Sequence, residues 1–470
     1  MSAYIGPMHG AGDKENGDSI VIRAETVPRA VLEVRRPLPC KRIELKNFRC
    51  IESLTLDLPA GTSERAGWLV LLGENAVGKS SVLQAVALAL AEERLSEIDY
   101  WQLLFRKARP KRGFVHLDLS IEAPGVPPAQ AWAEMALEPS GPSFKASEGI
   151  FPDPSGDGYV LGLGYVFGFG AARWLPREGW KRSSPGWQDW RVRIANLFNP
   201  FVPLQDGIYW LEGLPEEDFR RAATPLLRLL GRPSTDRLKR RKGEVVLDGS
   251  GRSGFQPIRE FSDGYQTILA IACEILQVTR ETYKDPATAQ GIVLLDEIES
   301  HLHPRWKMKI VEGFRAAFPR MQFIVTTHDP LCLRGLEKGE VVVMRRDSKG
   351  RVLAITDLPS VAGLRADQLL TSEFFGLSST IDPIYEKLFS EYYELRRRKK
   401  LTTDEEKRVA ELRTALEKLG MMGATRREQL MLEAIDGYLA RERQSPETRA
   451  SGKRELSHTL AGILASLDEV

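Results

Sequence analysis

A glycine-rich loop between an apolar run and a helical run constrains the fold of this chain more than any other feature. The loop fits the spacing G-x-x-x-x-G-K-[ST] and comprises Gly73, Glu74, Asn75, Ala76, Val77, Gly78, Lys79, Ser80 and Ser81. Residues 68–72 form an apolar run typical of a buried strand, and apolar residues recur at helical spacing after the loop. Glycines here let the backbone turn so that successive N–H groups point at a phosphate.

Two polar members of the loop have predicted tasks. Lys79 is expected to reach the β- and γ-phosphate oxygens of ATP, and Ser80 to place its hydroxyl on Mg²⁺. The helix that begins there directs the positive end of its dipole toward the phosphates. Because a strand before the loop and a helix after it are the context that the motif requires, the sequence predicts a nucleotide-binding site.

Composition sets only broad limits. The 470 residues allow two or three domains, or one large α/β domain with insertions. The formal net charge is +2, so nucleic-acid binding would need a local basic patch. Four scattered cysteines without a C-x-x-C pair indicate a reducing compartment rather than a zinc or disulfide framework. Since no apolar run reaches the length of a membrane span, we expect a cytoplasmic protein that does not bind membranes.

The first half of the chain predicts strands followed by an insertion. Alternating apolar residues indicate strands at 42–48, 51–58 and 114–121. Residues from about 123 to 256 lack the rhythm of a continuous parallel sheet, so we interpret them as an insertion. Within it, alternating glycines at 159–172 suggest a closely approached strand, and residues 215–231 suggest an amphipathic helix kinked or restarted at Pro225 and ending at a glycine.

Two basic clusters leave the question of DNA binding open. They are residues 105–112 (FRKARPKR) and residues 237–242 (RLKRRK). Each is explained either by a solvated loop or hairpin tip, or by contact with a phosphate backbone. His301 and His303 flank Leu302, and a structural loop is preferred to a metal site because no third soft ligand lies near.

The α/β rhythm returns at Phe261 with a second predicted anion site. Ser262 and Gly264 form a Ser-x-Gly at the start of a long apolar helix, and Gln266 follows one residue later. A helix N-terminus of this kind binds anions through its free N–H groups. The position of this segment shortly before a strand that ends in two acids strengthens the prediction.

Two buried strands are predicted to end in catalytic groups. Residues 291–295 are fully apolar and lead into Asp296 and Glu297, and residues 322–327 lead into His328. Asp296 is expected to hold Mg²⁺ through water, and Glu297 to polarise or deprotonate the attacking water. His328 is expected to reach the terminal phosphate and to report which nucleotide is bound.

In this order, the motifs resemble the Walker A, signature, Walker B, D-loop and switch-histidine motifs of ABC-type ATPase heads of the SMC, RecF and OLD kind. Residues 41 to about 380 are similar to bacterial AAA family ATPases of the RecF/OLD-like group found in anti-phage defence loci, notably at 167–173, 302–306, 327–330 and 369–377. The chain departs from the group at Asn75-Ala76, where Asn-Gly is commoner. Gln102 is a Q-loop candidate by position alone.

The resemblance implies an α/β fold, an ABC-type P-loop NTPase head with a mixed or parallel sheet. It implies Mg-ATP hydrolysis by a head-to-head dimer, in which Ser262, Gly264 and Gln266 of one subunit face the nucleotide held by Lys79 of the other. It also implies a sensor or regulator subunit of an anti-phage defence system. The alternatives are a RecF-like DNA repair ATPase that uses the basic clusters, and a scaffold that binds ATP and barely turns it over.

The predicted domains are a flexible segment at 1–40, the ATPase domain at 41–360, and a helical region with a polar tail at 361–470. A last hairpin is expected at 340–356. Asp382-Pro383 and a capping box at Thr402 predict a helical hairpin, with a further helix at 426–441. No nuclease-like acidic set follows His328, so we expect a separate effector. The resemblance implies that it is an HNH nuclease, as in Septu-like pairs, or a Toprim protein.

Overall fold

The computed structural model describes residues 39–62, 64–90, 112–119, 129–138, 141–146, 165–176, 190–249, 255–377, 382–396, 398 and 401–418. Gln102, residues 105–111 of the first basic cluster, the N-terminal segment up to residue 38 and the helix expected at 426–441 lie outside this part of the chain. The chain divides into two compact units near residue 370, whereas the sequence predicts the boundary at residue 361.

All fourteen described strands lie in the first unit, in three sheets. In chain order they are β1 (Cys40–Phe48), β2 (Ile51–Asp57), β3 (Trp68–Gly73), β4 (Arg112–Leu119), β5 (Ala129–Glu138), β6 (Gly141–Ala146), β7 (Tyr165–Phe169), β8 (Arg237–Arg241), β9 (Glu244–Asp248), β10 (Phe255–Pro257), β11 (Gly291–Leu295), β12 (Met321–Thr327), β13 (Val341–Arg346) and β14 (Val352–Ile355). The helices are α1 (Lys79–Leu90), α2 (Trp190–Phe198), α3 (Gly207–Glu212), α4 (Glu216–Leu229), α5 (Asp263–Thr279), α6 (Pro304–Lys307), α7 (Ile310–Ala317), α8 (Ala366–Leu370), α9 (Pro383–Arg396) and α10 (Thr403–Lys418).

The central sheet has the strand order β14-β13-β3-β12-β11-β7. Strands β13, β3, β12, β11 and β7 run parallel, and β14 adds an antiparallel edge by the predicted hairpin with β13. Every residue of β11 and β12 is buried, as expected of parallel strands that are covered on both faces. The predicted α/β fold with a mixed sheet is therefore confirmed.

Alternate residues of β3 point into two different hydrophobic cores. Leu69 and Leu71 pack with α1 and with strands β1, β2 and β4 of the antiparallel sheet. Trp68 and Val70 pack on the opposite face, with apolar residues of α4, α5 and α7. The helix that follows the phosphate loop is thus enclosed between two sheets, and this burial fixes the position of its N-terminus.

The insertion predicted at about 123–256 is smaller than expected. Strands β5 and β6 extend the antiparallel sheet, whose order is β2-β1-β4-β5-β6, and β7 pairs in parallel with β11. The prediction was wrong for β5 and β6 because they continue the antiparallel sheet beside β4, and for β7 because its partner β11 lies more than a hundred residues later in the chain. Within the described part of the region, the material outside these sheets is α2 to α4 and the three-stranded sheet β10-β9-β8.

Of the kink or restart predicted at Pro225, the restart is absent. Helix α4 continues through Pro225 and ends at Leu229, and Gly231, two residues later, has the left-handed φ of 57°. One proline removes one backbone donor, whereas the apolar face of α4 buries Phe219, Leu226 and Leu229 against the core. Burial of that face therefore outweighs the lost hydrogen bond.

The second unit contains the predicted pair of helices. Helices α9 and α10 bury Tyr392, Leu395, Leu412 and Leu416 in a small core of their own. The predicted capping box is present: the Thr402 N–H donates to Glu405 Oε2 at 2.9 Å, and the Glu405 N–H donates to Thr402 Oγ1 at 3.3 Å. Among the described helices, none combines the length and apolar character needed to cross a lipid bilayer.

Candidate nucleotide-binding and active site

The phosphate loop joins the end of β3 to the start of α1, as predicted. A Cβ added to Gly73 would lie 2.4 Å from the Met344 carbonyl oxygen of the neighbouring strand. Gly78 has a φ of 111°, and a Cβ there would meet the Cys50 sulfur at 3.0 Å. Both motif glycines are therefore required by close approach, and the second also by its backbone conformation.

Ala76 occupies a backbone conformation that favours glycine. Its φ is 62°, in the left-handed region, and its carbonyl oxygen accepts a hydrogen bond from Arg346 at 2.8 Å. The Asn-Gly of similar loops would adopt this conformation without strain, whereas an alanine side chain crowds its own backbone there. The departure noted in the sequence thus falls on a residue that does need a positive φ.

Lys79 lies at the start of α1 with only 7% of its surface exposed. Its Nζ donates to the carbonyl oxygens of Gly73 at 2.7 Å and Glu74 at 2.8 Å. Burial lowers the pKa of this ammonium, and the negative charges of Asp296 and Glu299 oppose that shift. The lysine is therefore held over the loop with the acidic strand end of β11 close by.

Asp296 follows β11 and is buried beside α1. Its Oδ1 accepts a hydrogen bond from Thr326 Oγ1 at 2.5 Å, and its carboxylate also accepts one from the Ser80 hydroxyl. Burial raises the pKa of Asp296, while the two hydrogen bonds favour the ionised form. The structure thus brings together the two residues predicted to bind Mg²⁺.

Glu297 is half-buried and has a φ of 46°. Its N–H donates to Thr326 Oγ1 at 2.7 Å, and its carbonyl oxygen accepts a hydrogen bond from the Arg173 guanidinium at 2.6 Å. The Ser300 hydroxyl donates to its side-chain Oε2 at 3.2 Å. The residue predicted to activate water is thus fixed by contacts to its backbone and its side chain.

His328 follows β12, one strand away from the phosphate loop. Its backbone N–H donates to Glu299 Oε1 at 2.7 Å, and its Nδ1 lies 2.9 Å from the same oxygen. The Glu299 side chain is 4% exposed, whereas the histidine side chain is 49% exposed. A buried acid therefore orients a histidine that remains accessible at the strand end.

The signature segment is at the N-terminus of α5. Ser262 is exposed and makes no capping hydrogen bond. Gly264 is buried, and a Cβ there would lie 2.3 Å from the His301 carbonyl oxygen of the same chain. The Gln266 amide donates to the carbonyl oxygens of Arg259 and Phe261, at 3.0 and 2.7 Å. Of the three predicted signature residues, Ser262 is thus the one whose side chain faces outward, while the other two build the segment itself.

Four functional candidates are absent from the sequence-based set: Arg49, Arg173, Glu299 and Thr326. The Thr326 hydroxyl forms hydrogen bonds with both Asp296 and Glu297. In the sequence, the one feature that could have identified this residue is a hydroxyl within an apolar strand. Arg49 lies in the turn between β1 and β2, where burial lowers its pKa and the charge of Asp296 opposes the shift. Its Nε is buried without a hydrogen-bond partner, beside Cys50, whose thiol donates to the Val77 carbonyl at 3.9 Å.

The second basic cluster forms the hairpin of β8 and β9. Lys239 pairs with Asp248 at 2.7 Å and Arg240 pairs with Glu216 at 2.6 Å. The Arg241 guanidinium lies 4.3 Å from the centroid of the Phe255 ring. These internal contacts favour the interpretation as a hairpin over a DNA-binding loop. His303 has a structural contact as well, because its Nδ1 accepts the Arg305 N–H at 3.3 Å at the start of α6.

Two family models match the chain. Residues 42–134 match a model described as "AAA domain", and residues 180–334 match one described as "AAA domain, putative AbiEii toxin, Type IV TA system". The first range contains the phosphate loop, and the second contains Ser262, Asp296 and His328. Both matched models describe AAA domains, so the matches support the resemblance to AAA-type ATPases and the predicted nucleotide-binding site.

Several relatives point to the same class. The chain is 36% identical to the "Septu protein PtuA" of Bacillus mycoides (strain KBAB4) over 412 residues, which cover 86% of this chain and 54% of that protein. It is 34% identical to the "Retron Vc95 probable ATPase" of Vibrio cholerae serotype O1 biovar El Tor over 119 residues, covering 24% of this chain and 22% of that protein. The chain thus spans about half the length of its Septu relative and a smaller share of this retron relative.

A solved structure, the SMC head domain from Thermotoga maritima, superposes with a TM-score of 0.40 at 14% identity, covering 68% of this chain and 100% of that chain. The sequence relatives confirm the resemblance to AAA family ATPases of the kind found in bacterial anti-phage defence systems.

We predict that Ala76→Gly stabilises the protein or leaves its stability unchanged. Glycine removes a left-handed strain of roughly 1–2 kcal/mol, partly offset by the greater freedom of glycine in the unfolded chain. The matched control is Ala316→Gly on the exposed side of α7, where the same change should cost up to about 1 kcal/mol. Urea unfolding measures both. Equal destabilisation by the two substitutions would contradict a strained loop.

Proposed function

We propose that this protein hydrolyses Mg-ATP as a head-to-head dimer and serves as the ATPase subunit of an anti-phage defence system with a separate effector. One observation carries the proposal. The phosphate loop, the acidic end of β11 and the histidine end of β12 meet at one edge of the central sheet, while the signature serine is exposed on another helix.

The donor set fits a magnesium ion. Ser80 and Asp296 present a hydroxyl and a carboxylate that are already in hydrogen-bonding contact, and hard oxygen donors are the ligands that Mg²⁺ prefers. Within the described ranges, no group of three or more His, Cys, Asp or Glu side chains is placed to hold a metal. That agrees with Mg²⁺ held by one carboxylate, one hydroxyl and the phosphates of ATP. When bound, it would neutralise charge that develops on the phosphates.

The chain's own residues would carry the remaining chemistry. Lys79 would turn from the loop carbonyls to the β- and γ-phosphates, which are stronger acceptors. Glu297 would orient the attacking water and accept its proton, giving ADP and phosphate. His328, oriented by Glu299, would contact the terminal phosphate and so distinguish ATP from ADP.

The dimer is inferred from the exposed signature serine. Ser262 is the N-cap residue of α5, and its exposed side chain makes no capping hydrogen bond, so the start of this helix is open to an anion on the outside of the subunit. We infer that it binds the γ-phosphate of an ATP held by the Lys79 of a second copy. Because Gly264 packs against the His301 carbonyl, which follows β11, the signature helix would move with the acidic strand end of its own subunit.

The defence role rests on the similarity to the Septu and retron proteins. ATP that contacts two subunits would favour the closed dimer, and hydrolysis of ATP would remove this preference. The cycle of ATP binding and hydrolysis would therefore change which surfaces are available to an effector. A cytoplasmic location is part of the same proposal.

Glu297→Gln is expected to retain ATP binding, to stall hydrolysis at a small residual rate, and to accumulate an ATP-dependent dimer. Adding Ser262→Arg should abolish that dimer without loss of ATP binding, because the new side chain fills the anion site. The control is Ser53→Arg, at an exposed position of β2. Light scattering with ATP reports the mass, and a fluorescent ATP analogue reports binding. Hydrolysis at the normal rate by Glu297→Gln would refute the assigned base, and a dimer that survives Ser262→Arg would refute the shared site.

The purified chain alone is expected to hydrolyse ATP and to leave DNA and RNA intact, because the nucleolytic or toxic activity is assigned to a separate polypeptide. Gel assays on duplex DNA, single-stranded DNA and RNA with Mg-ATP check this, and Lys79→Ala is the control for ATP dependence. Nucleic-acid cleavage that is abolished by a substitution outside the ATP site would contradict the division of labour.

A further inference from the structure

The backbone of Glu297 is in an unfavourable conformation. A φ of 46° places this glutamate in the left-handed region. Residues with a Cβ avoid that region, and they persist there only where neighbouring groups hold the peptide. The residue that is proposed to activate water is therefore the one whose conformation needs external support.

Support comes from both sides of its own strand. The Glu297 N–H donates to Thr326 Oγ1 at 2.7 Å, and Thr326 belongs to β12. The Glu297 carbonyl oxygen accepts from Arg173 at 2.6 Å, and Arg173 follows β7. Strands β12 and β7 are the two neighbours of β11 in the sheet. The peptide is thus held between side chains from the two flanking strands.

Arg173 is itself rigidly placed. Only 4% of its surface is exposed. The preceding residues are tied to α2 by Asn196, whose Oδ1 accepts the Gly170 N–H at 2.7 Å and whose Nδ2 donates to the Ala172 carbonyl at 3.1 Å. Burial lowers the pKa of Arg173 to about 10, opposed first by Glu299 and then by Asp296. At neutral pH the guanidinium is therefore charged.

We propose that Arg173 is a positioning residue which, together with Thr326, holds the left-handed peptide of Glu297 and thereby aims its carboxylate at the attacking water. It acts through Glu297 and does not touch the reacting atoms. The inference rests on the proposed role of Glu297 as the base. The competing explanation is that Arg173 only neutralises the buried acids around it.

Arg173→Lys separates the two explanations, because lysine keeps the positive charge and loses the guanidinium N–H that reaches the carbonyl. We expect kcat to fall about 10- to 100-fold, the cost typical of a displaced catalytic group, with ATP affinity unchanged. The matched control is Arg193→Lys, a buried arginine on α2 whose guanidinium lies over the rings of Tyr165 and Phe167. It should keep its kcat.

A double-mutant cycle supplies the second measurement. In the Glu297→Gln background, Arg173→Lys should cause no further loss of the residual rate, because the residue it positions is gone. A normal kcat for Arg173→Lys, or a full additional loss in that background, would overturn the inference. A normal rate for Glu297→Gln alone would instead overturn the proposed function.

A second pair of variants covers the case in which Arg173→Lys does not fold. Thr326→Val removes the hydroxyl that accepts the Glu297 N–H, while Thr326→Ser keeps it. The serine variant should restore most of the kcat that the valine variant loses, and the valine loss should shrink in the Glu297→Gln background. Equal activity of the valine and serine variants would count against the inference.

Discussion

The burial of opposite charges at one edge of the central sheet is the constraint on which the rest of the structure depends. Lys79, Arg173 and Asp296 are each no more than 8% exposed. Burial lowers the pKa of the two cations and raises that of the acid, so each charge is unfavourable alone. They are stabilised by one another and by the hydroxyls of Ser80 and Thr326. The pKa of Asp296 nonetheless stays raised, so these contacts do not fully offset the cost of burying its negative charge.

The apolar strands place this cluster where it is. Strands β3, β11 and β12 are buried almost throughout, so polar side chains can gather only where the strands end. Parallel pairing brings those ends to the same edge, and the buried helix α1 brings its N-terminus there. A phosphate anion bound together with a divalent cation would complete this set of charged side chains. The same geometry leaves Ser262 facing outward, where the nucleotide of a second subunit would lie against it in the proposed dimer.

The sequence predicted what is local. Three kinds of feature each consist of residues close together in the sequence, and the structure contains all of them. They are the phosphate loop, the strands that end in Asp296 and His328, and the capping box at Thr402. The sequence did not identify Arg173 or Thr326 as site residues, because their importance comes from the order of strands in the sheet. The pairing of β7 with β11 joins segments more than a hundred residues apart. For the same reason part of the supposed insertion belongs to the sheets.

We propose that Asp296 is kept buried, at a cost to stability, because it holds the metal and the nucleotide. Thermal unfolding of Asp296→Asn, with and without Mg-ATP, tests it most directly. We expect the neutral side chain to raise the melting temperature of the nucleotide-free protein, because its burial no longer opposes folding. We also expect the Mg²⁺-dependent stabilisation by ATP to be largely lost. A variant that melts lower without nucleotide and keeps the full Mg²⁺-dependent shift would contradict this role of Asp296.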